Sequence, residues 1–439
     1  MNNAQQNVAP EVASFALEQS ALEARKVVRD KILKYVGRHT VIIWGSGATM
    51  DLGFPSMKDL LDIMSKEPDF GALRDMIGNG FEERLTNFFN YKCPEAREVF
   101  QDRACKIIGK EFTKRENAPM CRDKEKYYEA MFDLYSFLLD SNKGSVDILT
   151  TNYDCAWERL FQQRGVEFLD GFQKNELDYS AFFNEDYSSV RLVKVHGSDN
   201  WFRYDTKDQY VEKVDIGHTP QDNAQLKSHK IIIPTNMKYE DAVKDTSFAN
   251  LMLAFGRIIK EADSYLTIGF GFNDSHLTPL LKQEARKGKP VVRLMKDITN
   301  GGRDFANGIP NIITLSDAGS DSIPNSPQIV FDVLQKAFQS EFDKARQRLL
   351  HYKYLPEAVK GIVWLDQFAK ELANKNFCNV IEVVRQWKEQ IERERVKATS
   401  VCWQGKGNSD STYVPDYDLW RLPSFIKLLT EKKKLGGKP

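Results

Sequence analysis

Five short apolar runs rich in β-branched residues, each closed by glycine or small polar residues and separated by long helical patterns, constrain this chain more than any other feature. Thr40 to Trp44 (TVIIW), Val146 to Thr150, Arg191 to Val195, Tyr265 to Ile268 and Val291 to Met295 are too short for helices, and their few charged residues do not alternate as a strand with one wet face requires. They read as strands buried on both sides. Lys230 to Ile233 reads as a sixth. Buried strands joined by helical connections assemble into a parallel sheet covered on both faces, and ligands then bind beyond the carboxyl ends of the strands. The expected fold class is α/β, a Rossmann-like doubly wound parallel sheet.

The connections are unequal. Residues 59–142 are long, charged and interleaved with aromatics (FEERLTNFFNYK, EKYYEAMFDLYSFLLD), more than one crossover helix can use, so a helical insertion is expected there. Residues 11–36 repeat apolar positions at helical period and predict an N-terminal helix, assigned to residues 1–37. The main domain is expected at 38–298 and a mainly helical C-terminal region, for assembly or partner docking, at 299–439. Within that region the Gly-, Ser-, Asn- and Asp-rich stretch from Gln404 to Asp416 reads as a loop.

Charge and composition exclude several classes. The 62 basic and 62 acidic residues cancel, so no direct nucleic-acid contact is expected. The longest apolar runs fall far short of the roughly 20 residues that cross a bilayer, and the polar start is unlike a secretory signal, so a cytoplasmic protein with no membrane contact is expected. Six dispersed cysteines without a C-x-x-C pair, and six histidines with no pair at helical metal-ligand spacing, predict no metal site.

Four segments at strand ends carry chemistry. Gly45-Ser46-Gly47-Ala48-Thr49 follows the first strand and precedes Gly53-Phe54-Pro55; such glycines let backbone approach a pyrophosphate at a helix N-terminus, or simply make a turn. Thr150-Thr151-Asn152-Tyr153-Asp154 puts polar side chains at the end of the second strand, to meet a ligand or to cap the helix that follows. Lys194-Val195-His196-Gly197-Ser198 does the same with an imidazole. Gly269-Phe270-Gly271-Phe272-Asn273-Asp274 brackets an aromatic with glycines, suited to a turn or to passing backbone close to a flat ring or ribose.

In order and spacing these segments resemble the sirtuin (silent information regulator) family, whose pattern reads G-A-G-x-S, G-I-P-D-F-R, T-Q-N-x-D and H-G. The resemblance spans roughly residues 38 to 298. It implies that the loop of Gly45, Ser46, Gly47, Ala48 and Thr49, together with Phe54, Pro55, Thr151, Gly269, Gly271, Phe272 and Asn273, binds NAD. It further implies that Asn152 and Asp154 contact the nicotinamide ribose or position a water, and that His196 is the general base. Breaking the nicotinamide glycosidic bond builds oxocarbenium character on the ribose, which asks for a rigidly held sugar and a base working near neutral pH.

Two departures sharpen the expectation. Residues 198 to 230 hold no cysteine, so the four-cysteine zinc module of the protein deacylases is absent, and Lys58 stands where the family carries an arginine fork. The G-F-G-F-N-D segment looks like the zinc-free sirtuin-like domains of bacterial anti-phage systems. That resemblance implies an NAD hydrolase releasing ADP-ribose and nicotinamide, depleting NAD in an abortive infection. It also implies a homo-oligomer and, as partner, a HerA-type DNA-translocating ATPase or alternatively a short Argonaute. The alternatives are a protein ADP-ribosyltransferase or deacylase, and a catalytically silent nucleotide-sensing assembly subunit.

Overall fold

The computed structural model describes residues 25–37, 39–173, 176–177, 182, 190–204, 211–220, 226–235, 245–317, 398–405, 408–415 and 419–430. The chain divides into two compact units, one of residues 34–313 with 404–407, the other of residues 1–33, 314–403 and 408–439. The strands used below are β1 (Thr40–Trp44), β2 (Val146–Thr150), β3 (Phe168–Leu169), β4 (Val190–Lys194), β5 (Gly197–Tyr204), β6 (Val211–Lys213), β7 (Leu226–Ile231), β8 (Ser264–Ile268), β9 (Val291–Leu294) and β10 (Ile312–Asp317). The helices are α1 (Met57–Met64), α2 (Phe81–Asn90), α3 (Pro94–Glu116), α4 (Arg122–Ser141), α5 (Ala156–Arg164), α6 (Thr246–Glu261), α7 (Leu277–Arg286), α8 (Asn300–Ala306) and α9 (Leu422–Thr430).

The larger unit is built on a parallel sheet in the order β9-β8-β1-β2-β4-β3. A seventh strand, β10, starts beside β9, where the Val291 amide donates to the Asn311 carbonyl. Every residue of β1, β2, β8 and β9 is buried, as expected of strands covered on both faces. Val41, Ile43, Leu149, Tyr265 and Val291 pack with Leu251, Phe255 and Ile258 of α6 and with Leu281 of α7. Each such side chain contributes about 1.5–3 kcal/mol by leaving water. Trp44 is fully buried at the end of β1, edge-on to Trp157, with ring centroids 5.1 Å apart.

The segment between β1 and β2 supplies α1 to α4, the helical insertion. A capping box starts α1: Ser56 Oγ accepts from the Asp59 amide, and the Asp59 carboxylate accepts from the Ser56 amide. At the head of α6, Asp245 accepts from the amides of Ser247 and Phe248.

Two readings of the sequence need correction. Lys230 to Ile233 is not a parallel-sheet strand: residues up to Ile231 belong to β7, which pairs antiparallel with β5 in a separate three-stranded sheet completed by β6. The apolar run alone could not distinguish the two, because β7 buries only its last four residues, Ser228 to Ile231. Gln404 to Asp416 is not one loop either: strands Ala398–Gly405 and Asn408–Pro415, neighbours in the sheet, occupy most of it. The helical patterns at 330–395 and most of the N-terminal helix lie outside the described residues. In the smaller unit α9 buries Leu422, Phe425, Ile426, Leu428 and Leu429, and the guanidinium of Arg29 donates to the Leu429 carbonyl at 3.3 Å.

Candidate functional site

Parallel register brings four chain segments to one edge. Trp44 is level with Thr150 on one side and Ile268 on the other, and Thr150 is level with Lys194. The residues just beyond β1, β2, β4 and β8 therefore emerge side by side at the carboxyl ends of adjacent strands. They open onto a cavity of about 510 Å³, lined among others by Gly45, Ser46, Thr49, Asn152, Asp154, His196, Phe270 and Asp274. That volume lies within the usual range for small-ligand sites, about 300–1,000 Å³.

Glycine is needed where the first and last of these segments meet. The Gly45 amide donates to the Ile268 carbonyl at 2.9 Å, and the Gly47 amide to the Gly269 carbonyl at 3.0 Å. A Cβ on Gly45 would stand 2.5 Å from the Gly269 carbonyl oxygen. One on Gly269, whose φ is +61°, would stand 2.1 Å from the Ala48 nitrogen. These two glycines thus serve first to seat one loop on the other. The chain then runs through two single 3-10 turns, Ser46–Ala48 and Met50–Leu52, before α1 begins at Met57. The α-helix N-terminus expected directly behind the glycine loop is therefore not there.

Asn152, Thr49 and Asp154 form a directional chain. Asn152 Nδ2 donates to the Gly45 carbonyl and to Thr49 Oγ1, both at 3.1 Å, and Thr49 Oγ1 donates to Asp154 Oδ2 at 3.0 Å. A backbone carbonyl can only accept, so the carboxamide nitrogen must face Gly45 and the carbonyl oxygen Oδ1 is turned the other way. Oδ1 is buried and has no hydrogen-bond partner among the described residues. Asp154 Oδ1 accepts from the Ala156 amide at the start of α5. Burial, with Glu116 adding to it and Lys194 and the hydrogen bonds opposing, pushes the Asp154 carboxyl up to about 6.

His196 comes from the neighbouring strand end. Its carbonyl accepts from the Ile232 amide, which ties this turn to the strand of the small sheet. Its Nε2 lies 3.1 Å from Asp274 Oδ2, close enough for ion pairing but out of line for a hydrogen bond, and makes no hydrogen bond among the described residues. Asp274 Oδ1 caps α7 by accepting from the amides of His276 and Leu277.

Beneath this floor lies Lys194, fully buried. Its ammonium donates to Glu158 Oε1 at 2.7 Å, to Ser198 Oγ at 2.6 Å and to the Asp154 carbonyl at 2.6 Å. Burial opposes its charge, but the acidic groups around it prevail and hold the ammonium above its ordinary range. The lysine locks the backbone of the Asn152–Asp154 turn to α5 and to the turn after His196.

Of the residues singled out in the sequence, Asn152, Asp154 and His196 line the cavity, as do Gly45, Ser46, Thr49, Pro55, Thr151, Gly271, Phe272 and Asn273. Gly47, Ala48, Phe54 and Gly269 are not among its lining residues. Gly269 supports the loop, Ala48 accepts at its carbonyl from the Tyr127 hydroxyl, and Phe54 stacks on Phe112 at 5.8 Å beside a second cavity of about 390 Å³. Sequence reasoning missed the wall supplied by the insertion, including Phe81, Glu82 and Glu83 of α2 and Phe112 of α3, for which a helical pattern gives no signal. It also missed Asp274, although this residue closes a segment already conspicuous for its glycines.

Residues 146–295 match the model of the family described as the SIR2-like domain. No curated protein matches the chain. Among solved structures, the chain is similar to a Sir2 homologue in complex with NAD, with a TM-score of 0.41 at 15% identity over 70% of this chain and 94% of that one. It is also similar to a Sir2 homologue mutant in complex with 2′-O-acetyl ADP-ribose, with a TM-score of 0.38 at 17% identity over 70% and 96% of the two chains. This chain carries a sirtuin-like domain, and no helix among its described residues is long and apolar enough to cross a membrane.

Proposed function

We propose that this chain hydrolyses NAD at the bond between nicotinamide and ribose, releasing nicotinamide and ADP-ribose. The observation that carries the reading is the pair of buried polar atoms, Asn152 Oδ1 and His196 Nε2, which find no hydrogen-bond partner among the described residues and belong to side chains lining one cavity. An unmet buried acceptor costs about 1–3 kcal/mol, so a fold that holds one in place by two hydrogen bonds has a ligand to offer it.

In the proposed reaction the ribose C1′–N bond breaks with its electron pair leaving on nicotinamide, and a water oxygen bonds to C1′. Asn152 Oδ1 accepts a hydrogen bond from that water or from a ribose hydroxyl, and His196 Nε2 takes the water's proton. The Asp274 carboxylate, 3.1 Å away, then stabilises the imidazolium and acts as a positioning residue. Asp154 works at one remove, through Thr49, to hold the carboxamide. The insertion walls one side of the same cavity. In the cell we propose that this activity depletes NAD during phage infection, in a homo-oligomer that acts with a HerA-type ATPase or a short Argonaute; the G-F-G-F-N-D segment and the absence of cysteine from 198 to 230 support that assignment.

Incubating the purified full chain with NAD and following nicotinamide and free ADP-ribose tests the reaction. Release of both in equal amounts, abolished in Asn152→Ala and His196→Ala proteins that keep their fold, is the expected result. ADP-ribose recovered on protein would instead identify a transferase, and no nicotinamide from the folded chain would overturn the reading.

A further inference from the structure

The second cavity, of about 390 Å³, shares no lining residue with the larger one and is walled by the end of α3, the start of α4, one face of α5 and the turn at Leu52 and Phe54. Three cations line it, Arg115, Lys124 and Arg159, against one carboxylate, Glu116. Arg159 reaches Glu116 Oε2 through Nε at 3.1 Å and through Nη2 at 2.7 Å, which leaves its Nη1 edge unspent. Arg115 commits only Nε, to Glu111 Oε1 at 2.7 Å. Lys124 makes no hydrogen bond or ion pair among the described residues, and its Nζ lies 3.7 Å from where a Cβ on Gly53 would stand. Tyr128, four residues on and therefore on the same face of α4, is 7% exposed, and its hydroxyl makes no hydrogen bond among the described residues. Burial and Glu116 hold its ionisation above the ordinary range, so the hydroxyl remains a donor.

An ammonium, two guanidinium edges and a phenolic hydroxyl are thus all donors facing one space. The one carboxylate there is spent, Oε2 on Arg159 and Oε1 on the Cys155 amide at 2.7 Å. Their complement is a group with several acceptor oxygens and more than one negative charge, which a phosphate supplies and a carboxylate does not. Leu52, Phe54 and Met120 add apolar wall, and the volume lies within the range of small-ligand sites, so the phosphate belongs to a molecule with an organic body. Glu116 also links the two cavities, because the Cys155 amide it holds follows directly on Asp154.

We propose that the second cavity is an effector site for a phosphorylated small molecule of the nucleoside diphosphate class. Its phosphate draws on the Arg159 guanidinium, loosens Glu116 from the turn that carries Asn152 and Asp154, and so slows nicotinamide release. The effector part rests on the NAD-cleavage reading; the binding part does not.

The test titrates the full chain with ADP and with pyrophosphate by calorimetry and follows nicotinamide release at each concentration. The expected result is a saturable ADP site, tighter than that for pyrophosphate, weakened about tenfold by Lys124→Gln and by Tyr128→Phe, each of which removes one donor to a charged group. The same site should persist in Asn152→Ala, whose change lies in the other cavity. ADP should lower kcat without raising KM for NAD, and both cavity variants should keep the basal rate while needing about ten times more ADP for the same inhibition. No saturable binding, or binding equal in wild type and both cavity variants, would overturn the proposal. Pyrophosphate binding as tightly as ADP would overturn the nucleotide class, and an unchanged kcat at saturating ADP would overturn the effector role. A chain that binds ADP through Lys124 and Tyr128 but releases no nicotinamide under any condition would retain the site and refute the NAD-cleavage reading.

Discussion

Thr49→Val separates the role of the hydroxyl from that of the fold around it. The side chain is 1% exposed and donates to Asp154 Oδ2 while accepting from Asn152 Nδ2. Valine removes one bond to a charged group, about 1.5–3 kcal/mol, and one neutral bond, about 0.5–1.5 kcal/mol. It returns about 0.8 kcal/mol through an added buried methyl. The net loss of stability, read by urea unfolding, should be about 1–4 kcal/mol. Kinetics should change in a more specific way. The lost bond favoured the Asp154 carboxylate, and each 1.4 kcal/mol moves a carboxyl by about one pH unit, so its ionisation should climb from about 6 toward neutrality. Asn152 keeps only the Gly45 carbonyl, and a carboxamide free to swing should lower kcat/KM for nicotinamide release about tenfold, with kcat falling more than KM. With the hydroxyl gone the carboxylate no longer reaches the carboxamide, so the part of the acid limb of the pH–rate profile that follows Asp154 should disappear. Thr49→Ser keeps the hydroxyl and should restore both rate and profile. If Thr49→Val loses stability but retains the wild-type rate and acid limb, the hydroxyl is only a packing feature and the relay from Asp154 to Asn152 does not operate.

Three further outcomes follow from the same structure. Gly269→Ala drives a Cβ against backbone at a positive φ, so urea unfolding should show a loss above about 2 kcal/mol together with lost nicotinamide release. Gly271→Ala, whose nearest neighbour would be Asn273 Nδ2 at 3.6 Å, should keep wild-type stability. Lys194→Met leaves Glu158 charged and buried without its partner and should cost about 3–5 kcal/mol, much of it recovered in the double variant with Glu158→Leu. His229 is buried as the neutral ring, its Nδ1 donating to the Asp199 carbonyl at 2.6 Å, and burial lowers it to about 4. Its folded value lies below the unfolded 6.5, so its stabilising contribution is complete above about 6.5 and is lost as pH falls to about 4, about 3 kcal/mol in all. Asp154 has the opposite sign: raised to about 6, it destabilises above that pH, and the penalty fades as acid protonates it toward 3.8. Measured against wild type by urea unfolding at each pH, His229→Phe should therefore gain about 3 kcal/mol on acidification from about 6.5 to about 4. A difference that stays constant across that range would show that His229 titrates normally in the fold.

How much of this was legible in the sequence depended on whether the signal was local. The strands of the parallel sheet could be read because each is buried on both faces, and a short run such as Val146 to Thr150, with only Asp147 and Thr150 polar, leaves little alternative. Their carboxyl ends could be read too, since a polar residue directly after such a run has to emerge there, and that logic found Asn152 and His196. It failed where function depends on a contact between distant segments. Thr49 reads as the tail of a glycine loop, and only the 3.0 Å approach to Asp154, 105 residues away, makes it the link between carboxylate and carboxamide. Asp274 reads as the start of a helix, and only its 3.1 Å approach to His196, on a different strand end, joins the two. Lys230 to Ile233 reads as a strand of the parallel sheet for the same reason, because pairing is decided by the partner, here β5, and not by the run itself. Local composition fixes which residues must be buried and where they must surface. Which surfaced residues meet is set by register, and register between parallel strands is written in the whole set of crossovers rather than in any one segment.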